Sequence, residues 1–271
     1  MFRTFFRHCE FKTNQATPQS MALQEEFEKQ GNWLFRYRSG LPIIILVIGT
    51  LLYLRTEMFP ETFVLEETPY EIYFENFCLL VSFFGLGIRI YTVGHTPRNT
   101  SGRNTAEGQV AEVLNTTGIY STVRHPLYLG NFFMWLGPAM MNGQFWFIVA
   151  FCLFYWLYYE RIMFAEEQFL RRKFQSAYTD WAEKVPPFIP RFKNFVKPGV
   201  PFSWKKVIKK EKNGLLAVFL IFCFFDITGE LIEKENNYNY FLIAGCIFSL
   251  LFYAVLKYLK TQTKVLDETG R

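Results

Sequence analysis

The apolar residues of this chain are grouped in long blocks rather than at the intervals of a soluble amphipathic helix. A helix needs about 20 residues to cross the roughly 30 Å hydrocarbon core of a bilayer. Six blocks approach or reach that length: 41–54, 72–93, 127–141, 144–165, 214–228 and 239–256. The two shortest, 41–54 and 127–141, are flanked by Arg and Tyr side chains that suit a membrane interface. The pattern predicts an all-α, polytopic transmembrane protein with about six spans.

A different pattern follows the fourth block. Over residues 166–183 the apolar positions recur at helical spacing, as Phe169, Leu170, Phe174, Ala177, Tyr178 and Trp181. This spacing predicts an interfacial amphipathic helix after the fourth span, which would form a lid. The proline-rich run at 185–190 cannot continue a helix and should end it. Trp181 is interpreted as packing against lipid.

Composition and charge refine this picture. The 271 residues are 51% hydrophobic and 20% charged, which excludes disordered and fibrous classes and favours a bilayer as solvent. Segments 1–39, 94–126, 160–213 and 257–271 hold 26 of the 29 Lys and Arg residues, and the opposite loops hold only Arg55 and Lys234. Because cytoplasmic loops are enriched in Lys and Arg, we predict an integral, multi-pass membrane protein with both termini cytoplasmic. Nucleic acid is not an expected partner.

These features divide the chain into four parts. Residues 1–39 form a cytoplasmic N-terminal segment with no evident removable signal, and residues 40–198 form a membrane core. Residues 199–213 form a basic linker, and residues 214–271 form an appended transmembrane helix pair with a cytoplasmic tail. The linker's charges are interpreted as a topology anchor or a contact with anionic lipid.

The candidate chemistry lies at the two ends of one predicted helical hairpin. Arg124 and His125 immediately precede the third span. Spans of 15 and 22 residues, joined by a turn at 142–143, would rise about 22 and 33 Å, so Glu166 and Glu167 should return beside that pair. Such a cluster at a lipid–water boundary can bind a ligand that carries both ammonium and carboxylate groups. Two alternatives remain: an Arg-His pair that only marks a helix start, and an ion pair at the membrane surface.

The motifs around this hairpin resemble those of a known family. They are, in order, Gly118-Ile-Tyr120, Arg124-His125-Pro126-Leu-Tyr128-Leu-Gly130, Arg161-Ile162 through Glu166-Glu167, Tyr178-Thr-Asp-Trp181, and Val185-Pro186 through Pro190. In this order and spacing the chain resembles the isoprenylcysteine carboxyl methyltransferase family and its relatives among phospholipid N-methyltransferases. A weaker upstream likeness involves residues 100–104 and Arg89. The eukaryotic prenylcysteine enzymes do not carry the helix pair at 214–228 and 239–256.

The resemblance implies a membrane-embedded methyltransferase that takes S-adenosylmethionine from the cytoplasm and a lipophilic acceptor from the bilayer. It implies catalytic roles for four residues: Arg124, His125, Glu167 and Arg191. The implied cofactor pocket consists of Gly118, Tyr120, His125, Pro126, Tyr128, Gly130, Glu166, Glu167 and Tyr178. In this hypothesis Arg191 binds an anionic group of the acceptor, and no metal takes part.

Several alternatives stay open. The acceptor could be an isoprenylcysteine-type carboxylate or a lipid, including the amine of a phospholipid head group. An NADPH-dependent sterol or ene-lipid reductase and a non-catalytic membrane binding protein are the other two classes. The helix pair could complete an acceptor channel, mediate homodimer contacts or anchor the domain, and the last two roles together are favoured. The only Gly-x-Gly, Gly85-Leu-Gly87, lies within a span and is better explained by helix packing than by dinucleotide binding.

Overall fold

A computed structural model describes residues 22–38, 40–59, 71–97, 100, 103–105, 108–234 and 236–268. These residues form seven α-helices: α1 (Leu23–Arg36), α2 (Gly40–Met58), α3 (Glu71–Gly94), α4 (Pro126–Met141), α5 (Phe145–Ala182), α6 (Trp204–Glu233) and α7 (Tyr240–Gln262). A two-stranded antiparallel hairpin, β1 (Arg103–Thr105) and β2 (Gly108–Val110), adds a small sheet to the predicted helical fold. Most of the predicted N-terminal segment and part of the upstream motif at 100–104 lie outside the described residues.

Each of the six apolar blocks lies in a helix of the structure. Four helices are long and apolar enough to cross a membrane: Ile72–Gly94, Phe145–Ala182, Trp204–Glu233 and Tyr240–Gln262. The two shortest blocks lie in α2 and α4, and the 16 residues of α4 rise about 24 Å. Large apolar side chains such as Leu51 on α2 and Leu251 on α7 are more than half exposed. Apolar surface of this kind suits contact with lipid, and an integral membrane protein follows.

The hairpin between α4 and α5 has a defined start and turn. Pro126 occupies the first position of α4, where its missing N–H costs no hydrogen bond. At the other end, the Asn142 side chain donates to the Ala139 carbonyl at 2.8 Å. Gly143 follows with a φ of +66°, a conformation that glycine adopts without strain. The expected turn at 142–143 therefore joins the two helices.

Helix α5 differs from the expectation at its distal end. Its 38 residues would extend about 57 Å, well beyond the thickness of a bilayer core. No new helix begins at residue 166, because the helix of the span continues until Gln175, whose φ of 48° and ψ of −124° interrupt it. The helix ends at Ala182, before the prolines, as expected. The predicted amphipathic lid thus corresponds to the distal, kinked part of α5, and its place at the interface stays a prediction.

The predicted basic linker at 199–213 is largely helical. From Trp204 onward it forms the first turns of α6, whose N-cap, Ser203, accepts a hydrogen bond from the Lys206 N–H at 3.2 Å. A serine cap followed by lysines and a glutamate favours helix over linker. Helix α6 packs against α2 and α3 as well as α7, whereas α7 packs chiefly against α6, so α6 is the member of the predicted helix pair that is built into the bundle.

Helix α1 was not expected from the sequence. It packs along α5, where a Cβ on Gly31 would lie 2.0 Å from the Arg161 carbonyl oxygen. Glu28 accepts a hydrogen bond from Arg172 at 2.9 Å, and the Arg161 guanidinium lies 3.6 Å from the centre of the Phe27 ring. These contacts attach α1 to residues 161–172 of α5, the part of the helix that the predicted topology places on the cytoplasmic side.

Two glycines of α3 provide a matched test of its packing against α4. A Cβ on Gly85 would lie 2.4 Å from the Gly130 carbonyl oxygen, whereas a Cβ on Gly87 would meet nothing within 4 Å. We expect Gly85→Ala to destabilise the protein by about 1–3 kcal/mol, because the helices must separate. Gly87→Ala should leave stability unchanged or slightly raised. Thermal unfolding in detergent measures both, and equal midpoints for the two variants would contradict the observed packing.

Candidate active site

A cavity of about 970 Å³ lies where several helix ends meet. It is lined by residues at or next to the start of α2, the end of α3, the start of α4, the start of α6 and the end of α7, namely Arg38, Thr96, Pro126, Lys206 and Lys260. These ends adjoin the segments that carry most of the basic residues. The volume is at the upper end of the usual range for a small-molecule site, so the cavity has room for more than one ligand group.

One side of the cavity is formed by the α4–α5 hairpin. His125 Nε2 lies 2.9 Å from Glu167 Oε1, and its Nδ1 lies 3.6 Å from Glu166 Oε2. Arg124 Nε lies 3.0 Å from the same oxygen of Glu167. The Tyr128 hydroxyl donates a hydrogen bond to Glu166 Oε2 at 3.0 Å. The structure therefore brings together the cationic and anionic clusters that the sequence placed 40 residues apart.

The proline-rich run after α5 fixes the backbone of this cluster. The Arg124 N–H donates to the Pro186 carbonyl at 2.9 Å, and the His125 N–H donates to the Pro187 carbonyl at 3.2 Å. The Arg124 guanidinium also donates to the Ala182 carbonyl at the end of α5, at 2.9 Å. Because prolines cannot donate backbone hydrogen bonds and fix φ, this run offers its carbonyls at a rigid edge. Its function in the fold is to hold the Arg-His pair in place.

The electrostatics of the cluster are balanced. Burial would lower the pKa of His125, but hydrogen bonds and charge interactions with Glu166 and Glu167 outweigh it and raise that pKa from 6.5 to about 9. The imidazole is therefore protonated at neutral pH. Two cations, Arg124 and His125, then face two carboxylates. Burial and the charge of Glu166 also raise the pKa of Tyr120, which keeps its hydroxyl protonated.

The raised pKa predicts a pH dependence of stability. A group whose folded-state pKa exceeds its ordinary value stabilises the fold fully below the ordinary value, here 6.5. That contribution is lost as the pH rises through about 9. We expect the unfolding midpoint of the protein to fall across this interval, and the fall to be smaller in His125→Gln. Thermal unfolding at a series of pH values checks this, and identical slopes for the two proteins would refute it.

Two buried polar atoms in the described residues have no hydrogen-bond partner, Tyr178 Oη and Arg124 Nε. The Arg124 atom is close to Glu167 but poorly aligned with it. Tyr178 is fully buried and lines the cavity. Buried polar groups are normally hydrogen-bonded, and burial together with the carboxylate of Glu167, an acceptor beside that hydroxyl, raises the pKa of Tyr178.

A second side of the cavity was missed by the sequence analysis. Arg89 of α3 forms a bidentate ion pair with Glu211 of α6, with N–O distances of 2.8 and 2.9 Å, and donates to Asn131 at 2.6 Å. Four lysines of α6 and α7 also line the cavity, and we call them the basic wall: Lys206, Lys209, Lys210 and Lys260. The signal for this side was Arg89, the single basic residue within a predicted span, since intramembrane charges mark functional sites. Its partner was concealed within a run of lysines.

Seven of the eleven predicted site residues line the cavity: Tyr120, Arg124, His125, Pro126, Tyr128, Glu166 and Tyr178. Four do not: Gly118, Gly130, Glu167 and Arg191. Trp181, interpreted above as a lipid contact, lines the cavity instead and donates from its indole N–H to the Tyr120 carbonyl at 3.0 Å. That interpretation was wrong because the kink at Gln175 changes which face of the helix the residue occupies.

The four remaining residues have other surroundings. Glu167 lies behind His125 and Arg124 and contacts both. Gly130 permits the close approach of α3, since a Cβ there would lie 2.6 Å from Arg89 Cγ. Gly118 has a φ of +62° and donates its N–H to the Val196 carbonyl at 2.9 Å. Arg191 is exposed, and its backbone N–H donates to the Thr122 carbonyl at 2.9 Å.

Metal chemistry has no cluster to support it in the described part of the chain. No group of three or more His, Cys, Asp or Glu side chains there could hold a metal ion.

Comparison with known proteins finds sequences similar to the segment that contains the hairpin. Residues 77–177 match the sequence profile of the phospholipid methyltransferase family. The chain is 40% identical over 79 residues to a protein-S-isoprenylcysteine O-methyltransferase of Schizosaccharomyces pombe, covering 29% of this chain and 33% of that one. It is 30% identical over 115 residues to the Saccharomyces cerevisiae protein of the same name, covering 42% and 47%. A nickel-cobalt-cadmium resistance protein, NccN, of Alcaligenes xylosoxydans is 34% identical over 112 residues, covering 41% and 49%. No solved structure matches significantly.

The resemblance to this group of membrane methyltransferases is thus confirmed for residues 77–177, which contain both clusters of the hairpin. The chain spans about a third to a half of the length of these relatives. The family profile ends before α6, so the basic wall lies outside the matched region.

Proposed function

We propose that this protein is an integral membrane methyltransferase that transfers a methyl group from S-adenosylmethionine to a lipophilic acceptor. The observation that carries the proposal is the joining of the Arg-His and Glu-Glu elements at one cavity, within the segment that matches the methyltransferase family. The finer proposal is that six helices cross the membrane with both termini cytoplasmic. It is supported by the basic segments, which adjoin the helix ends around the cavity.

The donor groups around the cavity suit this cofactor. Its ammonium and ribose hydroxyls need acceptors, which the carboxylate of Glu166 offers, and its carboxylate needs a cation. Arg38, at the start of α2, lines the cavity and is a candidate for that role beside Arg124, whose guanidinium already contacts Glu167 and Ala182. The Tyr178 hydroxyl, which lies beside Glu167, also lines the cavity and is a further candidate hydrogen-bond donor. When bound, S-adenosylmethionine would supply an electrophilic methyl group on a sulfonium sulfur.

The residues of the hairpin would act mainly by positioning. Methyl transfer is an in-line displacement, so the protein must align the acceptor with the methyl carbon and exclude water. Glu166 faces the cavity and would bind the cofactor, and Glu167 would position His125 and Arg124 behind it. The aromatic rings of Tyr120, Tyr128 and Trp181 would close the chamber to water.

The acceptor determines whether a proton must be removed. A carboxylate, as in an isoprenylcysteine, is already ionised near neutral pH and needs no base. The amine of a phospholipid head group must lose a proton first, for which Glu166 is the cavity-lining carboxylate of the hairpin. The O-methyltransferase relatives favour a carboxylate, and the family profile includes phospholipid methylation as the alternative.

The test is methyl transfer by the purified full chain in lipid vesicles. S-adenosylmethionine labelled in its methyl group is incubated with the protein and a total lipid extract, and the extract is analysed for label. Base-labile label indicates a carboxyl ester, and stable label on a head group indicates nitrogen. Binding of NADPH without S-adenosylmethionine binding, or absence of label from every fraction, would refute the proposal.

A further inference from the structure

Residues 263–268, which follow α7, lie across the basic wall. Leu266 is buried, and it lines the cavity together with Asp267 and Glu268. Asp267 Oδ1 lies 2.6 Å from Lys209 Nζ. Ser203, the N-cap of α6, donates a hydrogen bond from its hydroxyl to the Glu268 carboxylate. Two carboxylates of the chain itself therefore occupy the side of the cavity opposite the hairpin.

The surroundings of these carboxylates suit an anion. The N-terminus of the 30-residue helix α6 carries a partial positive charge and bears Lys206, Lys209 and Lys210. Glu211, the residue after Lys210, has both of its oxygens on Arg89, whereas Lys206 Nζ donates to the Thr96 and Pro97 carbonyls. Asp267 already supplies a carboxylate to Lys209 of this wall. We call residues 263–268, which carry Asp267, the tail.

The tail is held weakly enough to be displaced. The Asp267 side chain is 62% exposed and that of Lys209 is 28% exposed. Ion pairs in such positions add little to stability, since water and salt screen them. The buried Leu266 keeps the segment near the cavity while its carboxylates exchange. An anionic group entering from the bilayer could replace them without unfolding the bundle.

We propose that the basic wall binds the anionic group, carboxylate or phosphate, of a lipophilic acceptor, and that residues 263–268 occupy this site until the acceptor enters. The inference rests on the proposed function, because it takes a lipophilic acceptor as the ligand. It assigns acceptor recognition to α6 and the tail rather than to Arg191, which is exposed.

The experiment follows hydrogen exchange of residues 263–268 in the full chain. Two amides there are held by backbone hydrogen bonds, Thr263 to Leu259 at 3.1 Å and Asp267 to Lys264 at 3.0 Å. The protein is placed in phosphatidylcholine vesicles, in the same vesicles with a minority of phosphatidate or oleate, and in the first vesicles with inorganic phosphate added. We expect the amides of residues 263–268 to exchange faster in vesicles that contain phosphatidate or oleate than in vesicles of phosphatidylcholine alone. An equal effect of inorganic phosphate would show that the site takes a free anion and would overturn the lipid assignment.

Matched lysine variants test the site itself. Lys209→Gln removes the partner of Asp267 together with a cation of the site, so residues 263–268 should exchange faster without anionic lipid, and the further increase that anionic lipid causes should fall about fivefold. Lys205→Gln, one turn earlier on the same helix, exposed and outside the cavity lining, should leave both unchanged. The double variant Asp267→Asn/Glu268→Gln should exchange rapidly without any anionic lipid. Equal losses for the two lysine variants would indicate general surface attraction and overturn the proposal, as would a tail that stays protected with every lipid.

The readout requires no methyl transfer, so the two proposals can fail separately. A chain that releases its tail to anionic lipid yet labels no lipid would retain this site and lose the proposed function. A chain that labels lipid while its tail stays protected throughout would retain the proposed function and lose this site.

Discussion

Replacement of Glu166 by Gln is expected to lower methyl transfer by about 100-fold or more, because the substitution removes the hairpin carboxylate that faces the cavity. Glutamine keeps the size of the side chain and its amide oxygen can still accept from Tyr128, so the fold should persist. The negative charge that attracts an ammonium group is lost. Initial rates with labelled S-adenosylmethionine, together with its binding affinity, measure the effect.

The matched control is Glu160→Gln. Glu160 lies on the same helix, but its side chain is 45% exposed, pairs with the adjacent Arg161 at 3.0 Å and does not line the cavity. The same chemical change there should leave both rate and cofactor affinity close to wild type. If Glu166→Gln were as active as Glu160→Gln, the carboxylate would have no role in binding or transfer, and the cavity would not be the active site.

The local geometry of the hairpin explains why half of the site could be predicted from sequence. Two consecutive helices joined by a short turn must return the chain to its starting face, so helix lengths alone place Glu166 and Glu167 near Arg124 and His125. Pro126 marks the start of α4 because its missing N–H is tolerated there, and Gly143 marks the turn because it adopts a positive φ. The structure agrees at each of these positions.

Residues that depend on packing between distant segments were not predictable in this way. The Arg89–Glu211 pair joins positions 122 residues apart, and no local pattern indicates that α6 packs beside α3. The lysine-rich composition of residues 204–213 is equally compatible with a linker and with a helix that lines a cavity, so it does not distinguish the two. Helix α1 has apolar positions at Phe27, Leu34 and Phe35, but the partner for that face, α5, is apparent only in the folded chain.

Arg191 is a residue that the sequence analysis assigned to the site but that does not line the cavity in the structure. It was assigned to the site because it follows the proline run in sequence. Its backbone N–H does donate to the carbonyl of Thr122, two residues before Arg124. The backbone contact does not determine the direction of the side chain, which is exposed. Besides Arg38, Arg89 and Arg124, the cavity is lined by four lysines of α6 and α7, which lie beyond the region that the family profile covers.

The second large effect is expected from Glu211→Gln. The Glu211 side chain is 5% exposed and that of Arg89 is 22% exposed, so this ion pair lies largely in the low-dielectric part of the bundle. Removing the carboxylate leaves the guanidinium hydrogen-bonded to Asn131, a neutral group that cannot balance the charge. We expect a loss of about 3 kcal/mol of stability, measured by unfolding in detergent.

Two further variants make this expectation specific. Arg89→Met combined with Glu211→Leu should recover most of the loss, because a buried pair contributes little over apolar side chains of similar volume once both charges are removed. Asp267→Asn breaks an exposed ion pair made by Lys209 of the same helix and should cost less than about 1 kcal/mol. If Glu211→Gln were as mild as Asp267→Asn, the charge of Arg89 would be solvated without its partner. Helix α6 would then be a neighbour of the region that matches the family profile rather than part of the cavity's structure, and acceptor recognition would have to lie elsewhere.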